Sequence, residues 1–351
     1  MNYSSYFKNK SIVITGHTGF KGSWLSQWLY MLGANINAFS LNVPTEPSHY
    51  NNLNVNFKSD ERINLTDSKN IFKFINETSP DYIFHLAAQP LVIESYRDQY
   101  KTYLYNTMGT LNILEALKRY NKNCIAIIIT SDKCYENLDD KVDYKEDDRL
   151  GGIDPYSTSK AAAEIIFKGY KNSFLVSKES NIRACTTRAG NVIGGGDWAA
   201  NRIVPDCFRS WCQDKEVKLR NPESTRPWQH VLDPLNGYLA LACHLTDNAN
   251  LNGESFNFGP ENSYSVSTLV QNLSCHFNGA KWSIEKDAPS FHEAKLLSLN
   301  CDKSHKYLNF KQKLNIEDMS KWTSSWYSHY YYNKEPSTLT INQIEEYINL
   351  D

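Results

Sequence analysis

The chain has 351 residues, 41% of them hydrophobic, and its 37 basic and 39 acidic side chains leave a formal charge of −2. At about 150 residues per domain that is length for two domains with ordinary cores, and so even a balance speaks against nucleic acid as a partner. The longest apolar run, Ile125–Ile129, is far short of a membrane span, Met1 to Lys10 lacks the apolar centre of a secretory signal, and eight scattered cysteines form no Cys-x-x-Cys pair, so a cytoplasmic protein with reduced thiols, no metal and no membrane partner is expected.

Ser11–Thr15 is a short apolar run that ends in a glycine turn. A helix-period segment follows, with Trp24, Leu25, Trp28, Leu29 and Leu32 on one face and Gly33 placed to end it. Asn35–Leu41, Tyr82–Leu86, Ile125–Thr130 and Ile182–Thr187 then read as strands, with helical patterns at Thr102–Tyr120 and Ser159–Tyr170. Apolar strands alternating with helices predict an α/β fold, a doubly wound parallel sheet of Rossmann type covered on both faces. Beyond Gly190 the rhythm breaks into short strands, helices and turns, which predicts a smaller, mixed α/β C-terminal domain. The boundaries drawn are 1–190 and 191–351, with 227–258, including the helical pattern Leu232–Leu245 and the strand Ser255–Phe258, returning to the first. Trp322 to Tyr332 reads as a docked helix, with Trp322, Trp326 and Tyr330 on one side.

Between the first strand and first helix lies Thr15-Gly-His-Thr-Gly-Phe-Lys-Gly22. Gly16, Gly19 and Gly22 permit a tight turn, a close approach of backbone to a pyrophosphate and close helix packing, while the helix N-terminus offers N–H groups to an anion. Gly16, Thr18, Gly19, Phe20 and Gly22 are therefore candidate cofactor contacts, although a glycine turn without a ligand has a similar look. The second strand ends in Ser40-Leu41-Asn42, where Ser40 or Asn42 could meet a ribose hydroxyl and nothing obvious would hold a 2′-phosphate; this favours NAD. Asp67 is either an adenine contact or a helix N-cap. Ala87, in the small-residue exit of the fourth strand, and Gln89 are further cofactor candidates, whereas His85 reads as a core histidine.

Tyr156 and Lys160, four apart at the start of a helix, share a face. A free phenol titrates at about 10, and a nearby ammonium together with a positively charged nicotinamide would favour phenolate. Ser131 ends the preceding strand at the sheet's reactive edge and could hold a substrate hydroxyl beside Tyr156.

The glycine loop, Ser131, Tyr156 and Lys160 in this order resemble the extended short-chain dehydrogenase/reductase family, in which Tyr is the acid/base and Lys orients the nicotinamide ribose. Gly16–Trp24, Thr130-Ser-Asp-Lys-Cys-Tyr135, Arg188–Trp198, Arg226-Pro-Trp-Gln-His-Val231, Asn257-Phe-Gly-Pro260 and His292-Glu-Ala294 are similar to its CDP-glucose 4,6-dehydratase branch. That resemblance implies NAD, a nucleotide-sugar substrate, a homodimer or higher homo-oligomer, and dehydration by internal hydride transfer from C4 to C6 in deoxysugar synthesis for surface polysaccharide. It also implies Asp132 as acid for the leaving hydroxyl, and Lys133, where related enzymes carry glutamate, as base at C5 or as a cation beside the C4 enolate. Arg226 and Asn191 become candidate substrate contacts, with Arg202 undecided between ligand and salt bridge, and His292 drawn from a loop that in relatives approaches the nucleotide. GDP- or UDP-linked dehydratases, a 4-epimerase and a non-catalytic dinucleotide sensor are the competing readings; Asp132-Lys133 argues against the epimerase and the intact Tyr/Lys pair against the sensor.

Overall fold

Seven strands lie parallel in one sheet, in the order β7-β6-β5-β4-β1-β2-β3. They are β1 (Ser11–Thr15), β2 (Asn35–Ser40), β3 (Ser59–Arg62), β4 (Tyr82–His85), β5 (Cys124–Ile129), β6 (Ile182–Ala189) and β7 (Ser255–Phe258). The computed structural model describes residues 1–137, 143–176, 180–285, 297–333 and 335–350.

Side chains alternate between two buried layers, as the pleat requires. Ile12, Ile14, Phe84 and Ile127 enter one core, and Val13, Ile83, Ala126 and Ile128 the other. The first core is closed by α1 (Phe20–Met31), whose Trp24 and Trp28 are fully buried, and by residues of α5 (Leu232–Asp247), α6 (Ile316–Ser328) and α7 (Pro336–Asn349). The second is closed by α2 (Ser68–Thr78), α3 (Gly109–Arg119) and α4 (Pro155–Tyr170). With both faces covered, near-continuous apolar strands are the stable solution. Gly33, at φ 80°, ends α1 just past Leu32, where a left-handed residue satisfies the last carbonyls of the helix.

Several segments differ from the sequence expectation. β3 was not resolvable as a strand by its apolar pattern, because it is an edge strand of Ser-Asp-Glu-Arg with half its residues exposed. The Thr102–Tyr120 pattern is helical but broken by a π-helical turn at Leu104–Met108. Four two-stranded pairs stand outside the main sheet, among them Val192–Ile193 with Gln229–His230 and Thr225–Arg226 with Tyr264–Ser265. The segment Gly194–Gly196 is wedged against the C-terminal helices: a Cβ on Gly195 would lie 1.9 Å from the Trp326 ring. Trp24 Nε1 donates to the Gly195 carbonyl (2.9 Å), tying this segment to α1. Trp228 and Trp211 are buried core residues, and all eight cysteines are free.

Candidate active site

In a doubly wound sheet the crevice opens where strand order reverses, here between β1 and β4. Gly16 leaves β1 at φ 76°, and a Cβ on it would stand 2.7 Å from both Cα and N of Ala87; on Gly22 it would stand 2.1 Å from the Gly16 carbonyl oxygen. Backbone therefore closes on backbone at both positions. Gly19 is the N-cap of α1 and no side chain caps that helix, so its first-turn N–H groups remain for an outside acceptor. Thr18 fastens the loop to the end of β2, Oγ1 donating to the Asn42 carbonyl (2.7 Å) and N–H to Ser40 Oγ (3.4 Å). Phe20 packs against the core beneath Gly194. A positive helix end beside a cradle without side chains suits a pyrophosphate, so the residues present fit a dinucleotide.

Around the adenosine end the expectations need correction. Arg62 pairs in register with Ser40 and so brings a guanidinium beside the second strand, where none was foreseen; it is held by Asp60, which also accepts from His17 (2.8 Å) and from Tyr50. Asp67 is the N-cap of α2, as the capping alternative expects: one oxygen accepts from Asn70 N–H (3.0 Å) and the other from the Asn70 amide (2.7 Å). Gln89 likewise shapes its own loop, donating to Thr102 Oγ1 (2.9 Å) and accepting from Leu91 N–H (2.5 Å). His85 is buried, bonded through Nδ1 to Thr15 Oγ1 (2.7 Å), and burial pushes its pKa down to about 3, as for a core imidazole.

On the other side of the crevice, β5 delivers Ser131 at the cap of a single helical turn, Asp132–Cys134. Ser131 Oγ donates to Asp132 Oδ1 (2.9 Å) and accepts from the Lys133 N–H (3.2 Å). Asp132 is 3% exposed, and its Oδ2 is buried with no hydrogen-bond partner. Burial raises its pKa against the opposing pull of Lys133, Ser131 and Lys21, favouring the protonated acid. Asp154 caps α4 by accepting from Ser157 N–H (2.9 Å), and Pro155 opens the helix, which sets Tyr156 and Lys160 one turn apart on the same face. Both are buried.

The protein groups alone do not lower the phenol. Burial pushes Tyr156 up to about 12, with Ser131 and Arg202 lowering it and Asp132 and Asp154 raising it further. The opposing cation is Arg202, not Lys160, because Lys160 is itself pushed down to about 8 by burial and by the charge of Lys21.

Arg202 acts on the Tyr156 phenol and pairs with Asp197 (2.8 Å), as the salt-bridge reading expects. Arg226 is buried on a two-residue strand and donates to the Thr225 carbonyl (2.8 Å). Asn191 accepts through its backbone carbonyl from Gln229 N–H (3.0 Å). His292 lies outside the described residues. Sequence reasoning missed Lys21, whose amine donates to Tyr238 Oη (3.4 Å) and feels both Asp132 and Arg202. It sits inside the glycine loop that was read for backbone alone.

Fold and site together define an enzyme of the extended short-chain dehydrogenase/reductase type. A family model described as GDP-mannose 4,6 dehydratase matches residues 13–323, and the chain belongs to that family. It is 38% identical over 333 residues to the CDP-glucose 4,6-dehydratase of Salmonella typhimurium, with 92% of each chain covered. Among solved structures, the epimerase Mth375 of Methanothermobacter thermautotrophicus superposes with a TM-score of 0.79 at 21% identity, covering 98% of this chain and 96% of that one. The UDP-glucose-4-epimerase of Stenotrophomonas maltophila, solved with bound NAD and formylated UDP-arabinopyranose, gives 0.81 at 17%, covering 92% and 99%. These two likenesses concern the fold.

Proposed function

We propose that the chain dehydrates CDP-D-glucose to CDP-4-dehydro-6-deoxy-D-glucose with NAD held throughout the cycle. The observation that carries this reading is the Ser131-Asp132-Lys133 turn, with Ser131 and Asp132 buried, set beside the Tyr156/Lys160 helix, because an elimination needs an acid and a base beyond the pair that serves oxidation.

Bound NAD⁺ would supply the acceptor for the C4 hydride and, once reduced, the donor of hydride to C6. The Gly16–Gly22 loop and the start of α1 would hold the pyrophosphate of the cofactor, and Lys160 the hydroxyls of its nicotinamide ribose. Ser131 orients the 4-hydroxyl and Tyr156 takes its proton; since burial, with the surrounding groups, holds the phenol up at about 12, the proton leaves only with added positive charge at the site. Lys133 removes the proton at C5, acidified by the C4 ketone. Asp132, kept protonated by burial, gives its proton to the leaving C6 hydroxyl. Arg226, Arg202 and Asn191 bind the pyrophosphate and sugar of the substrate, for which guanidinium geometry is suited.

Two finer readings accompany this one. The chain works as a cytoplasmic homodimer, supported by the apolar outer face formed by Tyr96, Tyr100 and Met108 with Ile165 of α4, all exposed. Its product feeds deoxysugar synthesis for surface polysaccharide such as lipopolysaccharide. No described helix is long and apolar enough to cross a membrane.

The test is turnover of CDP-glucose deuterated at C4. The product should have lost one water and kept deuterium, now at C6. Unchanged mass with inversion at C4 would make the enzyme an epimerase, and turnover of GDP- or UDP-glucose in preference would move the base specificity. The ligand released on denaturation should have the mass of NAD and not NADP.

A further inference from the structure

The oxidation pair and the elimination pair are held in different ways. Tyr156 and Lys160 ride on α4, a helix of 16 residues that is capped by Asp154 and joined through Glu164 to Arg188. Asp132 and Lys133 ride on a helix of three residues, Asp132–Cys134, closed by Cys134 N–H on the Ser131 carbonyl (3.2 Å) and Tyr135 N–H on the Asp132 carbonyl (3.4 Å). A single turn fixes several dihedral angles for one or two hydrogen bonds and does not hold its shape alone. Its geometry is imposed by what it is tied to.

The tie is Tyr135, the residue that follows the turn. It is 1% exposed and its hydroxyl is used in both directions: Oη donates to Asn257 Oδ1 (2.7 Å) and accepts from Arg188 Nη1 (2.8 Å). Arg188, on β6, stands with its guanidinium 4.8 Å from the centre of the Tyr135 ring and donates also to the Glu146 carbonyl (3.0 Å) and to Glu164 (2.8 Å). Asn257, on β7, donates through its amide to the carbonyls of Tyr144 (2.9 Å) and Asn300 (3.0 Å). The Tyr144 ring is stacked on that of Tyr135, with centroids 5.1 Å apart and planes at 20°, and Tyr144 itself pairs in register with Leu299. Residues 130–135, 188–198 and 257–260, separate motifs in the sequence, therefore meet at one buried hydroxyl.

We propose that Tyr135 is a positioning residue for the elimination: by joining Arg188 to Asn257, its hydroxyl fixes the turn that carries Asp132 and Lys133, while the Tyr156/Lys160 helix keeps supports of its own. Catalytic groups need placement within about 0.5 Å, and a misplacement of about 1 Å costs on the order of 100-fold in rate. Loss of the hydroxyl takes the donor from Asn257 Oδ1 and one acceptor from Arg188, both inside the core, and neighbours must shift to recover them. The turn, with the weakest internal bonding, is the part that shifts. α4 does not depend on this hydroxyl, because its Asp154 cap and the bonds of Glu164 to Arg188, Thr130 and Thr186 remain. Water loss is therefore separable from oxidation at C4 by a change at Tyr135. This inference rests on the dehydratase reading, which wild-type turnover of CDP-glucose checks separately.

The experiment compares Tyr135→Phe with Tyr3→Phe, which removes a hydroxyl that likewise donates to an asparagine amide oxygen, Asn236 Oδ1 on α5 (2.5 Å). In acid-quenched single turnovers of CDP-glucose, mass spectrometry separates the oxidised but undehydrated 4-dehydro sugar nucleotide from the dehydrated product. Tyr135→Phe should oxidise C4 at the wild-type rate and lose water about 10- to 100-fold more slowly, so that the undehydrated 4-dehydro sugar accumulates. Tyr3→Phe should show neither change. In carbon-13 spectra of aspartate-labelled protein without substrate, the Asp132 carboxyl signal, assigned with Asp132→Asn, should move in Tyr135→Phe and stay in place in Tyr3→Phe. Tyr144→Leu, which withdraws the stacked ring and keeps the hydroxyl, should give the same split between the two steps and carries the test should Tyr135→Phe not fold. Wild-type water loss, an equal slowing of both steps or an unmoved Asp132 signal overturns the proposal, as does the same accumulation in Tyr3→Phe, which would trace the split to general loosening. Absence of turnover by the wild type removes the dehydratase reading itself, and the proposal with it.

Discussion

Two glycines of this chain give opposite expectations for the same substitution. At Gly16 the left-handed backbone alone costs an alanine roughly 1–2 kcal/mol. The new methyl would also meet the backbone of Ala87 at 2.7 Å, and neither β1 nor the exit of β4 can give way. At Gly169, within α4, nothing lies within 4 Å of the added methyl. Gly16→Ala should therefore purify with less than about a tenth of the wild-type dinucleotide, a tenfold change corresponding to about 1.4 kcal/mol. Gly169→Ala should retain the dinucleotide and gain about 0.5–1 kcal/mol in denaturant unfolding from its better helix propensity. Equal dinucleotide content in the two variants would remove the cradle from the argument. The same scale shows why Lys21 stayed hidden while Tyr156 and Lys160 did not. The tyrosine and lysine are one turn apart in one helix, so spacing reveals them, whereas Lys21 meets Tyr238 at a separation of 217 residues. Asp67 is the reverse case, a carboxylate whose capping role is read from its own helix start.

Among the elements, β5, β6 and α4 are joined behind the site by one buried ion pair. Glu164, one turn beyond Lys160, binds Arg188 of β6 at 2.8 Å with both side chains nearly inaccessible, and accepts from Thr186 Oγ1 (2.9 Å) and from Thr130, the residue before Ser131. Burial raises the Glu164 pKa, but the charge and hydrogen bonds of Arg188, with those of Thr130 and Thr186, outweigh it and leave the group below its ordinary value. A depressed carboxylate contributes stability that is fully present above its unfolded pKa of about 4.3 and is lost as pH falls through the folded value. Glu164→Gln should cost about 3–5 kcal/mol at neutral pH, since Arg188 is left buried and uncompensated. It should also flatten the acid limb of the stability curve, both read by urea unfolding between pH 3 and 7. A loss under 1 kcal/mol would mean that water reaches the pair. This network was not legible in the sequence for a physical reason: Glu164 and Arg188 are ordinary residues until the sheet sets β6 beside α4. The strands themselves were legible because burial on both faces makes them apolar throughout, and β3 was not, because an edge strand of Ser-Asp-Glu-Arg carries no such signal. Arg62 went unseen with it.

For the whole molecule, the outer face opposite the crevice matters to the chemistry because α4 belongs to both. Tyr156 and Lys160 project from α4 into the site, while Ile165 on the same helix is 57% exposed. The neighbouring helical stretch runs alongside, tied to α4 by Tyr103 Oη with Thr158 Oγ1 (2.6 Å) and by Thr107 Oγ1 donating to the Ser159 carbonyl (3.1 Å), and it adds Tyr96, Tyr100 and Met108 to the exposed apolar surface. Several large apolar side chains exposed on adjoining helices suit an isologous pairing with a second copy. Pairing would bury the back of the catalytic helix and restrain its N-terminal turn, where Tyr156 sits. Ile165→Glu places a charge on the exposed side of α4, and loss of a well-packed contact there should weaken dimerisation by about 2 kcal/mol or more, roughly 30-fold. Light scattering at micromolar concentration should give the two-chain mass for wild type and a concentration-dependent shift toward the single chain for Ile165→Glu. The dehydration rate should fall with the dimer fraction and recover at high protein concentration. A wild type that scatters as a single chain would overturn the pairing, and a variant that is monomeric yet fully active would separate the pairing from the ordering of α4.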